Sequence, residues 1–286
     1  MDDALVGSRK ALLDALDALE SHRGALVLVG AQAIYLWTGD AAVALAETTD
    51  DSDVAVDRRG LKDDPLLEEA MKDAGFHLDL VNPQPGSWLS PDGVPVDLML
   101  PEAMAGEGGS RSARVPPHSK HSFRRAVGLE AAIVDNRLMT IRSFDPEDGR
   151  EYEILVATPA ALLVAKLHKL ADRRLDKVSR QDDKDAHDLY RLLVAVPTGE
   201  LAEPLARLQS DALAGEVTAR ALELLQELFA AGPDAPGSVM AGRAEQEVGD
   251  PDVVAAAVSE LANDLLKAVR DLGSQGCDRA STPSAI

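Results

Sequence analysis

Residues 26–57 read LVLVGAQAIYLWTGDAAVALAETTDDSDVAVD, and this stretch decides the fold prediction. The apolar run 27–29 predicts a short buried strand that ends at Gly30. Residues 31–37 predict a helix, which the polar and glycine-containing stretch 38–40 ends. An acidic strand follows, so the order is strand, glycine turn, helix and strand.

Two carboxylates mark the acidic strand. Asp51 and Asp53 are two residues apart, and side chains alternate between the faces of a strand, so both are expected on the same face. Two close carboxylates repel each other unless a cation lies between them, and their hard oxygens suit Mg²⁺, which takes further ligands from substrate phosphates. The helix N-terminus after Gly30 presents N–H groups to an anion. Cation and phosphate sites together predict binding of a nucleoside triphosphate (NTP).

A third carboxylate strengthens this interpretation. An isolated D-x-D motif or glycine turn most often belongs to a solvated turn. Asp97, however, lies in the apolar stretch VPVDLML, where a charge is costly without a partner or a cation. The order of glycine turn, D-x-D strand and later aspartate resembles the nucleotidyltransferase superfamily. The prediction is a metal site of Asp51, Asp53 and Asp97.

The composition limits the class of protein. The chain has 286 residues, 45% of them apolar, which is enough for one large or two modest cores. Cys277 is the only cysteine, so no disulfide framework is expected. The longest apolar run, 25–37, is too short to cross a bilayer, and the start has no signal-peptide pattern; we expect a soluble cytoplasmic protein without a membrane partner. The net charge of −20 argues against broad nucleic-acid binding but allows a local basic patch.

The hydrophobic pattern predicts an α+β fold. Residues 1–157 are expected to form a catalytic domain with a mixed sheet and helices, 158–272 an all-helical domain, and 273–286 a disordered tail. In the first domain we predict one helix at 4–21 and another at 63–74, a flexible loop at 106–122, and strands at 76–81, 88–89, 94–100, 131–134, 138–143 and 152–156. Thr158 and Pro159 predict a capped helix start. The later helices are predicted at 160–173, 182–194, 200–208, 213–231 and 251–272.

Basic residues near two of these segments are candidate contacts for a polyanionic substrate. One group lies at the end of the flexible loop, and the other lies at the end of the first helix of the helical domain; their members are Lys120, Arg124, Arg125, Arg173 and Arg180.

The helical domain contains a second candidate constellation. Lys166 lies in an otherwise apolar helix and needs an anion, and Asp185 and Asp188 lie on the next helix. One interpretation is an ion-pair network that pins the two helices. The other is that Lys166 reaches a triphosphate and Asp188 orients it, and both can hold together.

The order VLVGAQAIYL, TTDDSDVAVD, VPVDLML, AKLHKLADR and DKDAHDLYRLL resembles the AbiEii family of nucleotidyltransferases, the toxins of bacterial toxin–antitoxin and phage-defence systems. The resemblance covers about residues 26–193. It implies that Gly30 and Ala31 form the phosphate-binding turn, Asp51 and Asp53 the metal pair, and Lys166 and Asp188 the nucleotide-contacting pair.

The chain departs from that family at two places. The turn is Gly30-Ala31 where members often have Gly-Ser or Gly-Gly, so the phosphate would rely on backbone N–H groups, together with Gln32. Glu47 stands where members often carry a basic residue.

The resemblance implies transfer of a nucleotidyl group from an NTP, with two Mg²⁺ ions, to an RNA acceptor such as a tRNA 3′ end, which would block translation. The implied partner is a cognate antitoxin protein or antitoxin kinase. An aminoglycoside-like small molecule or a protein hydroxyl is an alternative acceptor. A degenerate domain that only binds a partner is the alternative without catalysis.

Overall fold

The structure, a computed structural model, describes residues 3–39, 51–79, 83–106, 111–172, 180–246 and 249–280, without the side chains of 180–182 and 275–280. These residues form two units. The first contains the described residues up to Trp37 and from 51 to Leu162, and the second contains Thr38, Gly39 and those from Leu163 onward. The division thus falls after Leu162 rather than after residue 157, and Glu47 lies outside the described residues.

The first unit is built on a mixed sheet. Its strands are β1 (Leu26–Val29), β2 (Ser52–Val56), β3 (His77–Leu78), β4 (Ser87–Leu89), β5 (Pro95–Pro101), β6 (Arg124–Ala126), β7 (Asn136–Arg142) and β8 (Glu151–Ala157). The strand order is β3-β4-β5-β2-β1-β8-β7, and β6 pairs with β5. β1 is antiparallel to β2 and parallel to β8, whereas β2 is parallel to β5. The acidic strand therefore lies in the middle of the sheet.

Helices accompany this sheet. They are α1 (Asp3–Ala18), α2 (Gly30–Thr38), α3 (Leu67–Asp73) and α4 (Glu130–Val134), with short 3₁₀ turns at Glu20–Ala25 and Glu102–Met104. Leu12, Leu13 and Leu16 of α1 and all four residues of β1 are buried, as expected for a helix packed on a sheet.

Three predictions in this unit need correction. Residues 131–134 belong to the helix α4 rather than to a strand; the run Glu-Ala-Ala-Ile is rich in good helix formers, and a short apolar run does not distinguish the two structures. The helix predicted from 63 begins at Leu67, because Pro65 disfavours a helical conformation before it. The strand predicted at 76–81 is the shorter β3; residues 80–82 lie outside the described part.

The second unit is helical. Its helices are α5 (Pro159–Asp172), which begins in the first unit, α6 (Arg180–Ala195), α7 (Thr198–Gln209), α8 (Gly215–Leu225), α9 (Pro236–Ala244) and α10 (Pro251–Ala280), with one π-helical turn at Gln226–Ala230. Thr158 caps α5 as predicted: its hydroxyl accepts the Ala161 N–H at 3.4 Å.

No helix was predicted at the position of α9, which is rich in glycine; Pro236 occupies its first turn, where proline is tolerated. The helix α10 extends to Ala280, past the predicted start of a disordered tail at 273.

The α+β class is confirmed, with a mixed sheet followed by helices. Among the described residues, no helix combines the length and apolar character that a membrane span requires.

Candidate functional site

Gly30 joins β1 to α2 in a backbone conformation that suits only glycine. Its φ of 70° is in the left-handed region, where a Cβ is strained. An ideal Cβ at this position would also lie 2.8 Å from the Asp53 Cβ and 2.9 Å from its Cγ, and would overlap its Oδ2. The Asp53 carboxylate therefore lies directly against Gly30, at the N-terminus of α2.

The strand register brings two of the predicted carboxylates side by side. Asp53 pairs with Val29 of β1 and, on its other side, with Asp97 of β5. Neighbouring strands are about 4.8 Å apart, and paired residues of parallel strands point to the same face. Asp51 precedes β2, and Ser52 between the two aspartates is buried while both aspartates are half-buried. The burial of Ser52 between two half-buried aspartates agrees with the predicted alternation, and the placement of both carboxylates on one face stays a prediction.

Asp97 has a cationic partner that the sequence did not reveal. Arg124 lies on the neighbouring strand β6, and its Nη2 is 2.7 Å from Asp97 Oδ2. The pairing of β6 with β5 directs the Arg124 guanidinium to Asp97, and the predicted contact of Arg124 with a polyanionic substrate stays a prediction.

The contacts of Asp51, Asp53 and Asp97 decide how well these carboxylates fit the predicted magnesium site. Asp53 offers hard carboxylate oxygens beside the N-terminus of α2, and Asp51 lies two residues before it; such a pair fits one Mg²⁺ that completes its shell with water and phosphate oxygens. A second ion at Asp97 does not fit in the same way, since Arg124 already offsets that charge. Consistent with this, within the described ranges no three His, Cys, Asp or Glu side chains form a group that could hold a metal ion. The three-carboxylate metal site stays a prediction.

Gln32 points away from the helix end where a phosphate would bind. Its side chain is buried, its Nε2 donates to Ser52 Oγ at 2.6 Å and to Ser8 Oγ at 3.3 Å, and its Oε1 accepts from Arg9 Nε at 2.9 Å. Both ends of its amide are used inside the protein, so the predicted contact with phosphate would have to break these hydrogen bonds. Only its backbone N–H faces the start of α2.

Arg9, Gln32 and Ser52 instead form a buried network that sequence reasoning missed. It links α1, α2 and β2, and Ser52 lies between the two aspartates of the site. Burial lowers the pKa of Arg9 to about 10, which still leaves the guanidinium charged at neutral pH. Arg9 also donates to the Arg142 carbonyl at 2.9 Å and stacks over Phe144. The only sequence signal was an arginine in an apolar helix face.

The remaining basic candidates differ in exposure. Lys120 is exposed and remains available to a substrate. Arg125 Nη2 donates to the Gly106 carbonyl at 2.5 Å, and its Nη1 lies 3.7 Å from Glu102 Oε1. Arg173 and the side chain of Arg180 lie outside the described part of the chain.

In the second unit, Lys166 is buried between two carboxylates. Its Nζ lies 2.6 Å from Asp185 Oδ1 and 2.6 Å from Asp188 Oδ2. Burial alone would lower the pKa of Lys166, but the attraction of the two aspartates outweighs it and raises that pKa. The predicted ion-pair network between α5 and α6 is therefore present, and the contact of Lys166 and Asp188 with a nucleotide stays a prediction.

Comparisons with known proteins give similarity to solved structures only. No protein-family model and no curated protein matches the chain. The chain is similar to a proposed nucleotidyltransferase from H. pylori, at 14% identity over 95% of this chain and 99% of that one, with a TM-score of 0.42. It is also similar to an antigenic nucleotidyltransferase-like protein from Paracoccidioides brasiliensis, at 18% identity over 75% and 93% of the two chains, with a TM-score of 0.39. At these values the similarity assigns no activity to the chain.

Proposed function

We propose that the first unit binds a nucleoside triphosphate and transfers its nucleotidyl group to an acceptor hydroxyl. The observation that carries the proposal is the contact between Gly30 and the Asp53 carboxylate. This contact supports the proposal because a helix N-terminus can bind an anion and a carboxylate can bind a cation, and a metal-bound triphosphate needs both in one place.

The residues would act as follows. The first N–H groups of α2, at Gly30 and Ala31, would bind phosphate oxygens. Asp51 and Asp53 would hold Mg²⁺, which when bound offsets the charge that develops on the phosphates. The buried network of Arg9, Gln32 and Ser52 links α2 to β2. It would therefore hold the N–H groups of α2 and the two aspartates in position before the substrate binds.

For the acceptor we propose an RNA hydroxyl, which would make the protein an AbiEii-like toxin that an antitoxin partner controls. The support is the sequence resemblance together with exposed Arg111, Arg114 and Lys120 in the segment before β6. Contacts of this kind make RNA binding fall with salt, by roughly 0.7 logarithmic units per contact and per tenfold increase in salt for single strands.

The test is label transfer from each α-labelled NTP, with Mg²⁺ and total RNA. We expect labelled RNA with the wild type and none with Asp51→Asn or Asp53→Asn. Asp57→Asn is the matched control, because Asp57 follows the other end of the same strand and is paired with Arg59. Transfer to RNA by the Asp53 variant would exclude the proposed site. If a protein or an aminoglycoside is labelled and RNA is not, the proposal of an RNA acceptor is wrong, but the proposal of nucleotidyl transfer stands.

A specific observation favours a second candidate, NTP binding without transfer. Asp97, the residue that could accept the proton of the attacking hydroxyl, is ion-paired with Arg124. NTP binding that depends on Asp53, with no transfer to any acceptor, would support it.

A further inference from the structure

Asp97 and Arg124 form a short, mostly buried ion pair in the first unit. The Asp97 side chain is 12% exposed and that of Arg124 26%, with 2.7 Å between Oδ2 and Nη2. A charge-assisted hydrogen bond of this length is stronger than one between neutral groups.

Further contacts fix the Arg124 side chain in this position. Its Nη1 donates to Gln84 Oε1 at 3.2 Å, and Nη2 also contacts Met99 Sδ at 3.2 Å. The guanidinium is thus held by partners on two other segments of the unit.

The backbone around Arg124 is equally constrained. Gly86, at a φ of 77°, leaves no room for a side chain: an ideal Cβ would overlap the Arg124 nitrogen and the Leu98 carbonyl oxygen, and would lie 2.8 Å from the Phe123 carbonyl carbon. The Gly86 N–H donates to the His121 carbonyl at 2.9 Å, and its own carbonyl accepts the Leu98 N–H at 2.8 Å. Gly86 therefore lets β6 lie close enough to β5 for Arg124 to reach Asp97.

This arrangement changes the charge balance of the proposed nucleotide site. Asp97 is the register partner of Asp53, so Arg124 brings a fixed positive charge next to the carboxylates. Arg124 offsets the charge of Asp97, so a divalent cation at Asp51 and Asp53 does not have to do so.

We propose that Arg124 takes the place of a second metal ion at Asp97, so that this site recruits one divalent cation and not two. The inference rests on the proposed function, because it concerns the same site. It makes Arg124 a positioning residue that decides metal stoichiometry, and it assigns Asp97 to Arg124 rather than to a metal.

The experiment counts bound Mn²⁺, by calorimetry and by the paramagnetic signal of free Mn²⁺, with a non-hydrolysable NTP analogue present. We expect one ion per wild-type chain and two in Arg124→Gln, where the freed Asp97 can bind a second ion. The double variant Arg124→Gln/Asp97→Asn should return to one. Arg124→Lys keeps the charge and should also bind one.

Asp97→Asn alone provides a second measurement if Arg124→Gln fails to fold. Its Mn²⁺ count should equal that of the wild type, because Asp97 holds no metal. Two ions in the wild type, a lower count in Asp97→Asn, or one ion in folded Arg124→Gln would each overturn the proposal.

Failure of the proposed function gives a different result. In that case the wild type shows no NTP-analogue binding that depends on Asp53, and the proposal about Arg124 is overturned with it. Analogue binding that is lost in Asp53→Asn, together with two ions in the wild type, overturns the Arg124 proposal alone.

Discussion

The carboxylate of Asp53 lies against the Cα of Gly30, so the side chain of one residue occupies the space where a side chain of the other would be. This contact joins the turn that opens α2 to the acidic strand β2. A methyl group at Gly30 would have to displace the carboxylate from the helix end.

We therefore expect Gly30→Ala to abolish NTP binding and to lower the melting temperature. The strained backbone alone costs roughly 1–2 kcal/mol, and the displaced carboxylate adds to this. Gly93→Ala is the matched control: Gly93 has a φ of 77°, but nothing lies within 4 Å of its ideal Cβ. Gly93→Ala should lower the melting temperature through backbone strain and leave NTP binding unchanged. Equal NTP affinity in both variants would contradict a role for the Gly30–Asp53 contact.

The sequence was sufficient to predict this part of the fold because its signals are local. An apolar run, a glycine and a second run with alternating charges each indicate their own structure. The strands predicted at 88–89 and 94–100 rest on equally local signals, and between them the Gly93 N–H donates to the Ser90 carbonyl at 2.8 Å.

The contacts of the site could not be predicted in this way. Arg124 and Asp97 are distant in sequence, and only the pairing of β6 with β5 brings them together. The orientation of Gln32 depends on Arg9 of another helix. Sequence patterns identify which residues need partners, but the partners are set by tertiary packing.

The buried amide of Gln32 should be needed for stability rather than for substrate contact. Gln32→Met keeps the approximate volume but removes the amide that pairs with the Arg9 Nε–H and with Ser52 Oγ, so that Arg9 keeps only the Arg142 carbonyl and Ser52 only the Ser8 carbonyl. Each such loss costs about 1–3 kcal/mol, so thermal unfolding should shift clearly downward. Gln209→Met, at an exposed position near the end of α7, is the control and should be nearly neutral. An unchanged melting temperature in Gln32→Met, with weaker NTP binding, would restore the phosphate role.

The Lys166 network predicts that replacing Lys166 lowers the free energy of unfolding strongly, whereas replacing the nearby Lys169 lowers it only slightly. Lys166→Met leaves two buried carboxylates without their cation, which costs roughly 3–5 kcal/mol. Lys169→Met removes a side chain that is 38% exposed and 3.6 Å from Asp185, so its effect should be well under 1 kcal/mol. Denaturant unfolding measures both, and an NTP titration on the same samples tests the nucleotide contact. Unchanged stability with lost affinity in Lys166→Met would exclude the network as the main role of Lys166.

Glu68 predicts a defined dependence of stability on pH. It accepts the Ser119 N–H at 3.0 Å and the Ser122 hydroxyl at 2.8 Å. Burial alone would raise the pKa of Glu68, but these hydrogen bonds outweigh it and lower that pKa below the ordinary value of 4.5. The unfolded chain therefore binds the proton more tightly, so the contribution of Glu68 to stability is present above pH 4.5 and is lost as the pH falls through the lowered folded-state pKa.

Glu68→Gln should lower the melting temperature at pH 7, and its difference from the wild type should shrink in acid, whereas exposed Glu69→Gln should show little effect at either pH. A difference that stays constant from pH 7 into acid would show that the carboxylate charge has no part in holding this segment.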